Sequence, residues 1–345
     1  MTTPAKAGDP LIERFDALLF DLDGVVYVGP SVVPHAAEAI AGARARGVDC
    51  VFVTNNAARP PQTVAAHLSE IGVPAQAQDV VTSPQAAVSM LAAYVPAGAK
   101  VLVVGGHGIA QALIERGYVP VDSLEDEPAA VMQGYSPDLT WRHLAEATFA
   151  VRSGLPWIAT NPDLTFPTPR GVAPGNGALV DVVARTVGRR PEAVAGKPEP
   201  PLLREAIARV GSLRPVMVGD RLDTDISAGT RIGIPTLLVF TGVTTIAELL
   251  GAVPHERPDY VDYDLRCLAR PYPDVVLIDG EAHCAAARAH VADGVLAVDW
   301  PGASDPWNAV RAAARLSWAC SDGGVALDRA AAAARLTAEA LPGNP

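Results

Sequence analysis

Four short stretches hold residues whose types and spacing could do chemistry: Asp21-Leu22-Asp23-Gly24, Thr54-Asn55-Asn56, Gly196-Lys197-Pro198, and Gly219-Asp220 followed by Asp223 and Asp225. The two aspartate clusters and the Thr-Asn-Asn stretch each come directly after an apolar run. Two neighbouring carboxylates repel, at about 4 kcal/mol for charges ~4 Å apart at an effective dielectric of about 20. Asp21 and Asp23 therefore either share a proton or hold a cation between them. In a strand, residues i and i+2 point the same way, so both could face a site beyond the strand's C-terminal edge, where open parallel sheets bind ligands.

If the run ending at Val218 lies in the same sheet, Asp220 arrives at that edge as well. The result is a hard, oxygen-only donor set that suits Mg²⁺ with several retained waters. Thr54, Asn55 and Asn56 can hold phosphate oxygens through hydroxyl, amide and main-chain N–H groups. Lys197 is one of only three lysines, with Lys6 and Lys100, and offers a fixed cation to a phosphoryl group.

Three other motifs fail on their spacing. A calcium loop beginning at Asp21 meets Val25 where an oxygen ligand belongs; one beginning at Asp223 has its glycine one place late, at Gly229, and Ile234 in place of glutamate. Lys197 lacks the upstream glycine and the following hydroxyl of a nucleotide-binding P-loop. The turn Gly105-Gly106-His107-Gly108 carries Gln111 where a dinucleotide fingerprint needs glycine.

The elements that must position these residues alternate. Strands are predicted over 15–20, 48–56, 100–106, 129–135, 155–161 and 234–243, with helices between them, one near 35–46 and one opening at Pro60-Pro61. Strand, helix, strand is the signature of a parallel α/β sheet. Residues 166–179, rich in proline and glycine, read as loop. Beyond Pro271 the pattern predicts a strand over 275–279, a helix, a strand over 295–299 and two alanine-rich helices. That segment holds Trp300, Trp307 and Trp318, three of the five tryptophans, so it is expected to pack.

Bulk properties narrow the partners. Charged residues are 19% of the chain against a usual value of about 25%, and apolar patterning is regular, which marks a folded protein. A net charge of -11 with no basic stripe argues against nucleic acid. No apolar run reaches the ~20 residues of a membrane span, and the N-terminus lacks signal-peptide order, so a cytoplasmic protein is expected. The four cysteines, Cys50, Cys267, Cys284 and Cys320, are scattered and suggest neither zinc nor a disulfide framework.

As an ordered set, Asp21/Asp23, Thr54-Asn55, Lys197-Pro198 and Gly219-Asp220 with Asp225 resemble the four motifs of the haloacid-dehalogenase superfamily of phosphatases. MQGYSPDLTW, IATNPDLTFPT and GVAPGNGAL resemble the large α/β cap of the subgroup that contains NagD and the 4-nitrophenyl, phosphoglycolate and pyridoxal phosphate phosphatases. The likeness spans roughly 12–268, and the added C-terminal piece is similar to that of glycerol-3-phosphate phosphatases in this subgroup.

The resemblance implies a Rossmann-like parallel-sheet α/β core (1–83 and 191–270), an inserted α/β cap (84–190) and a small α/β C-terminal extension (271–345). It implies that Asp21 is the nucleophile, forming an aspartyl phosphate, and Asp23 the general acid and base. Mg²⁺ would be held by the Asp21 carboxylate, the Asp23 main-chain carbonyl and Asp220, with Gly24 leaving room. Asp225 would orient a metal-bound water or Lys197. Thr54, Asn55, Asn56 and Lys197 would hold phosphate.

In the cap, Asn161, Asp163 and Asn176 either bond substrate hydroxyls or stitch a loop to its own domain. The expected substrate is a small phosphorylated metabolite, glycerol 3-phosphate first, with phosphoglycolate, pyridoxal phosphate and nucleoside monophosphates as alternatives. Cleavage of C–halogen bonds needs neither Asp23 nor Asp220, which argues against it. Phosphonate cleavage needs a Schiff-base lysine, and nothing marks Lys100 as one. A purely binding protein should have lost one of the key residues. The extension remains a candidate module for partner docking or homo-oligomer formation.

Overall fold

The computed structural model describes residues 8–168, 170–302 and 304–341. The chain forms two compact units, Met1–Val28, Val32–Asp49 and Arg214–Pro345 in one, Gly29–Ser31 and Cys50–Leu213 in the other.

In the first unit four parallel strands lie in the order Tyr260–Asp262, Thr236–Val239, Pro215–Gly219, Ala17–Phe20. The last three are buried at every residue, as expected of a parallel sheet covered on both faces. Ala17 pairs with Pro215 and Phe20 with Val218, so both chains leave the sheet at the same edge. The helix Ala36–Arg44 buries Ala36, Ile40 and Ala43, one face of a 3.6-residue period. A capping box starts the helix Ile246–Leu250: Thr245 Oγ1 accepts from Glu248 N–H, and Glu248 Oε2 accepts from Thr245 N–H at 2.7 Å.

The C-terminal extension departs from the expected strand, helix, strand. Residues 275–299 form a four-stranded antiparallel meander, Val275–Ile278, Glu281–Cys284, Ala287–Ala292 and Val295–Asp299. Two of its turns are Asp279-Gly280 and Asp293-Gly294, each with positive φ at both residues. That is the hairpin geometry Asp-Gly favours. Between them Ala282, Cys284, Ala287 and Ala289 are buried while their neighbours face outward. Alanine's helix preference is a weak prior, and burial with period two overrides it here.

The helix Pro306–Asp322 lies against this meander, and its residues share one apolar cluster with the parallel-sheet half. Trp307 sits 5.0 Å from the Phe240 ring. Ser317 Oγ and the Trp318 indole donate to Leu250 O (2.6 Å) and Leu249 O (2.9 Å). Tyr260–Asp262 ends its sheet, and side chains occupy its main-chain groups: Val261 N–H donates to Tyr272 Oη at 2.8 Å, and Arg311 Nε donates to Val261 O at 3.0 Å.

The second unit contains the strand Asp49–Thr54 from Cys50 onward, paired with Val80–Thr82, and a five-stranded parallel sheet ordered Ala193–Val194, Trp157–Ala159, Ala130–Gln133, Lys100–Val104, Val119–Val121. Residues 166–179, expected as loop, belong instead to an antiparallel hairpin, Thr165–Thr168 with Gly171–Pro174, and to the start of the helix Asn176–Val187. Composition marked the chain reversal but not the pairing. Phe166, 4.7 Å from the Tyr135 ring, anchors the hairpin. Among the described residues no helix is long and apolar enough to cross a membrane.

Candidate active site

The sheet register sets the acidic cluster. Asp21 N–H donates to Val218 O at 2.9 Å, continuing the ladder by one step and bringing Asp21 beside Gly219-Asp220. One carboxylate oxygen from each of Asp21, Asp220 and Asp225 lies within 4.8 Å of the others. Asp220 and Asp225 are buried, at 1% exposure each. Asp220 Oδ2 accepts from Val243 N–H at 2.8 Å, and Asp225 Oδ2 from Arg221 N–H at 3.2 Å.

Backbone without side chains walls the cluster. A Cβ on Gly24 would come 2.5 Å from Asp220 Oδ2, and one on Gly242 or Gly219 would overlap Asp220 or Asp225. Gly24 also has φ of +87, a conformation that costs glycine little. Three oxygen donors packed this closely, in a cradle that any Cβ would fill, fit a hard divalent cation.

Asp23 is placed by a turn rather than by strand alternation. The strand ends at Phe20, and the N–H groups of Val25, Val26 and Tyr27 all converge on Leu22 O. Asp23 is exposed and bridges to Tyr27. Asp223 is exposed and paired with Arg221.

In the second unit Thr54 closes the strand Asp49–Thr54, and Asn55 and Asn56 follow directly beyond it. Thr54 Oγ1 accepts from Asn56 N–H at 3.1 Å, and Asn56 Oδ1 from Ala58 N–H at 2.9 Å. Lys197 is buried at 2% exposure, and its ammonium donates to Val53 O at 3.2 Å.

Asn55 links these pieces: its Oδ1 accepts from Lys197 N–H (2.8 Å), and its Nδ2 donates to Lys197 O (2.9 Å) and to Asp163 (3.0 Å). Asn161 Nδ2 donates to Asn55 O, and Asn176 Nδ2 to Asn161 O. Lys100 is exposed, its ammonium donating to Asp126 O at 2.8 Å. Sequence reasoning passed over Gly242, Val243 and Ser83, whose hydroxyl donates to Asn55 O at 2.8 Å. The Thr241-Gly242 pair just beyond a buried strand was the one signal available for the first two.

Family models match residues 18–119, described as haloacid dehalogenase-like hydrolase, and 194–268, described as HAD-hydrolase-like. The D-glycerol 3-phosphate phosphatase of Mycobacterium tuberculosis is 44% identical over 258 residues, 75% of this chain and 72% of that protein. The chain belongs to the haloacid dehalogenase-like hydrolases.

Solved structures agree with this hydrolase along most of its length. A glycerol phosphate phosphatase from Mycobacterium tuberculosis in complex with calcium matches with a TM-score of 0.85 at 36% identity, covering 97% of this chain and 100% of that one. A magnesium complex matches at 0.81 and 39%, covering 90% and 92%. Coverage of 97% takes in the extension as well as the parallel-sheet core. The Rossmann-like α/β core expected of the hydrolase is therefore present.

Proposed function

We propose that this hydrolase is a Mg²⁺-dependent phosphomonoesterase that converts glycerol 3-phosphate to glycerol and phosphate. The observation that carries the reading is the convergence of Asp21, Asp220 and Asp225 at the end of two paired parallel strands. The 44% identity to a D-glycerol 3-phosphate phosphatase supports the substrate.

In this reading the Asp21 carboxylate attacks phosphorus in line. The bond from phosphorus to the leaving oxygen breaks, and Asp23 donates a proton to that oxygen. Asp23 then takes a proton from water, which attacks the aspartyl phosphate and frees Asp21 and inorganic phosphate. Splitting one hard displacement into two is the gain from covalent catalysis, and one carboxyl serves as acid and then as base. Thr54, the Asn55 and Asn56 region and Lys197 hold the transferring oxygens, where charge is concentrated.

Asp21, the Asp23 carbonyl and Asp220 would hold Mg²⁺, with Asp225 beside them. When bound, the ion offsets the repulsion between an acidic site and an anionic substrate. The inserted residues 84–190 act as the cap that chooses the leaving group, and the protein works in the cytoplasm on a small metabolite.

A panel of phosphate esters assayed with Mg²⁺ tests the substrate, with glycerol 3-phosphate expected to give the highest kcat/KM. A clear preference for phosphoglycolate, pyridoxal phosphate or a nucleoside monophosphate would replace it.

A further inference from the structure

We propose that Asp163, backed by Asn161 and Asn176, is a positioning residue for the phosphate-holding loop and makes no contact with the leaving group. The inference rests on the phosphatase reading and gives these three residues a definite role within it.

The hydrogen-bond inventory of Asn55 carries the argument. Its amide has two N–H donors and one carbonyl oxygen. The donors go to Lys197 O at 2.9 Å and to both Asp163 oxygens at 3.0 and 3.1 Å; the oxygen accepts from Lys197 N–H at 2.8 Å. The main-chain oxygen of Asn55 accepts from Asn161 Nδ2 at 2.7 Å and from Ser83 Oγ at 2.8 Å. The Asn55 side chain is thus committed to holding Lys197 and Asp163, and its main-chain N–H is the group suited to an oxyanion. A carboxylate acceptor makes the bond from Asn55 charge-assisted, roughly twice as strong as a neutral one.

Asp163 is itself held firmly. Its N–H donates to Asn161 Oδ1 at 3.2 Å, and its carbonyl accepts from Gly177 N–H at 2.8 Å. Asn161 and Asn176 are 3% and 1% exposed, and Asn176 Nδ2 closes the chain on Asn161 O at 2.8 Å. Contact is so tight that a Cβ on Gly175 or Gly177 would overlap the carbonyls of Asp163 or Pro162, and one on Gly196 would lie 2.5 Å from Asn55 Oδ1. One wall of this clamp is the strand-end loop at 161–163, which bonds Asn55; the helix start at 175–177 backs that loop, and Asn55 in turn holds Lys197.

The test compares Asp163→Ala, Asp163→Asn and Lys197→Met in the full-length protein. It measures kcat/KM on three esters with different leaving groups, the inhibition constant of inorganic phosphate, Mg²⁺ affinity by calorimetry, and Tm. Positioning predicts that Asp163→Ala weakens inorganic phosphate by about tenfold or more and lowers kcat/KM by a similar factor on every ester. Mg²⁺ affinity should hold, and Asp163→Asn, whose amide oxygen still accepts, should recover most of the loss.

Unchanged phosphate inhibition, or a loss that varies with the leaving group, would overturn the proposal. If Asp163→Ala does not fold, Asp163→Asn decides alone, through a uniform loss of a few-fold against a substrate-dependent one. Lys197→Met separates the two claims: full phosphate affinity and turnover there would sink the phosphatase reading itself. Loss there beside a silent Asp163 would sink only the positioning role.

Discussion

Asp262 and Asp220 are both buried, at 3% and 1% exposure, and both stand at the C-terminal end of a parallel strand, yet their surroundings are opposite. Asp262 meets Arg311, itself 3% exposed, at 2.6 Å, and Arg270 at 3.5 Å. Burial pushes its pKa above the usual carboxylate range, and the two guanidinium groups pull against that shift. Asp220 instead lies within 4.8 Å of two further carboxylates and is packed closely by the backbone of Gly24 and Gly242, where no Cβ would fit. One buried carboxylate is met by an arginine of the chain's own extension; the other is clustered with two more carboxylates, the donor set that the proposed function assigns to Mg²⁺. The first arrangement serves the fold and the second serves chemistry.

The largest expected effect tests the chemical half. Asp21→Asn should cut turnover by at least about 10⁴-fold, ~5 kcal/mol of activation free energy. Its thermal stability should be equal or higher, because one of three mutually repelling charges is gone. A variant that keeps turnover would dissolve the contrast.

Next comes the structural half. Arg311→Met leaves Asp262 buried without its nearest partner and should cost about 3–5 kcal/mol in chemical denaturation. Adding Asp262→Leu should restore most of that, since a buried pair replaced by apolar groups is often neutral. A neutral single variant would show that the pair is not what holds the extension to its sheet edge.

Mg²⁺ at about 100 times its Kd should stabilise the protein by about 2.7 kcal/mol, seen as a rise in Tm that Asp220→Asn abolishes. An equal rise in that variant would place the ion elsewhere.

The smallest effect lies beside Arg311. Burial pushes the Cys284 thiol up from 9.0 to about 11, so the folded state binds that proton more tightly than the unfolded one. Stability from this group is full below pH 9 and declines as pH rises through 11. Cys284→Ala should flatten that alkaline slope in a pH series of Tm values.

Legibility differed between the regions for physical reasons. Asp21 and Asp220 could be found because each follows a run of four buried apolar residues, and in a parallel sheet such runs end at one edge. The meander was hidden behind alanines, although Asp279-Gly280 and Asp293-Gly294 carried the hairpin signal in plain view. The clamp on Asn55 showed in the sequence only as the alternative that Asn161, Asp163 and Asn176 stitch a loop, without their partner. Its hydrogen bonds join residues 108 and 142 positions apart, and no local pattern encodes a partner at such a distance.

By itself, the sequence determined which residues could do the chemistry, in what order, and at which kind of strand end, since side-chain type and apolar periodicity are local properties. Only the tertiary structure decided which carboxylates meet within 4.8 Å, that Asp262 pairs with Arg311, and that Asp163 bonds Asn55. Those outcomes depend on sheet register and on contacts between distant segments, which exist only once the chain has closed on itself.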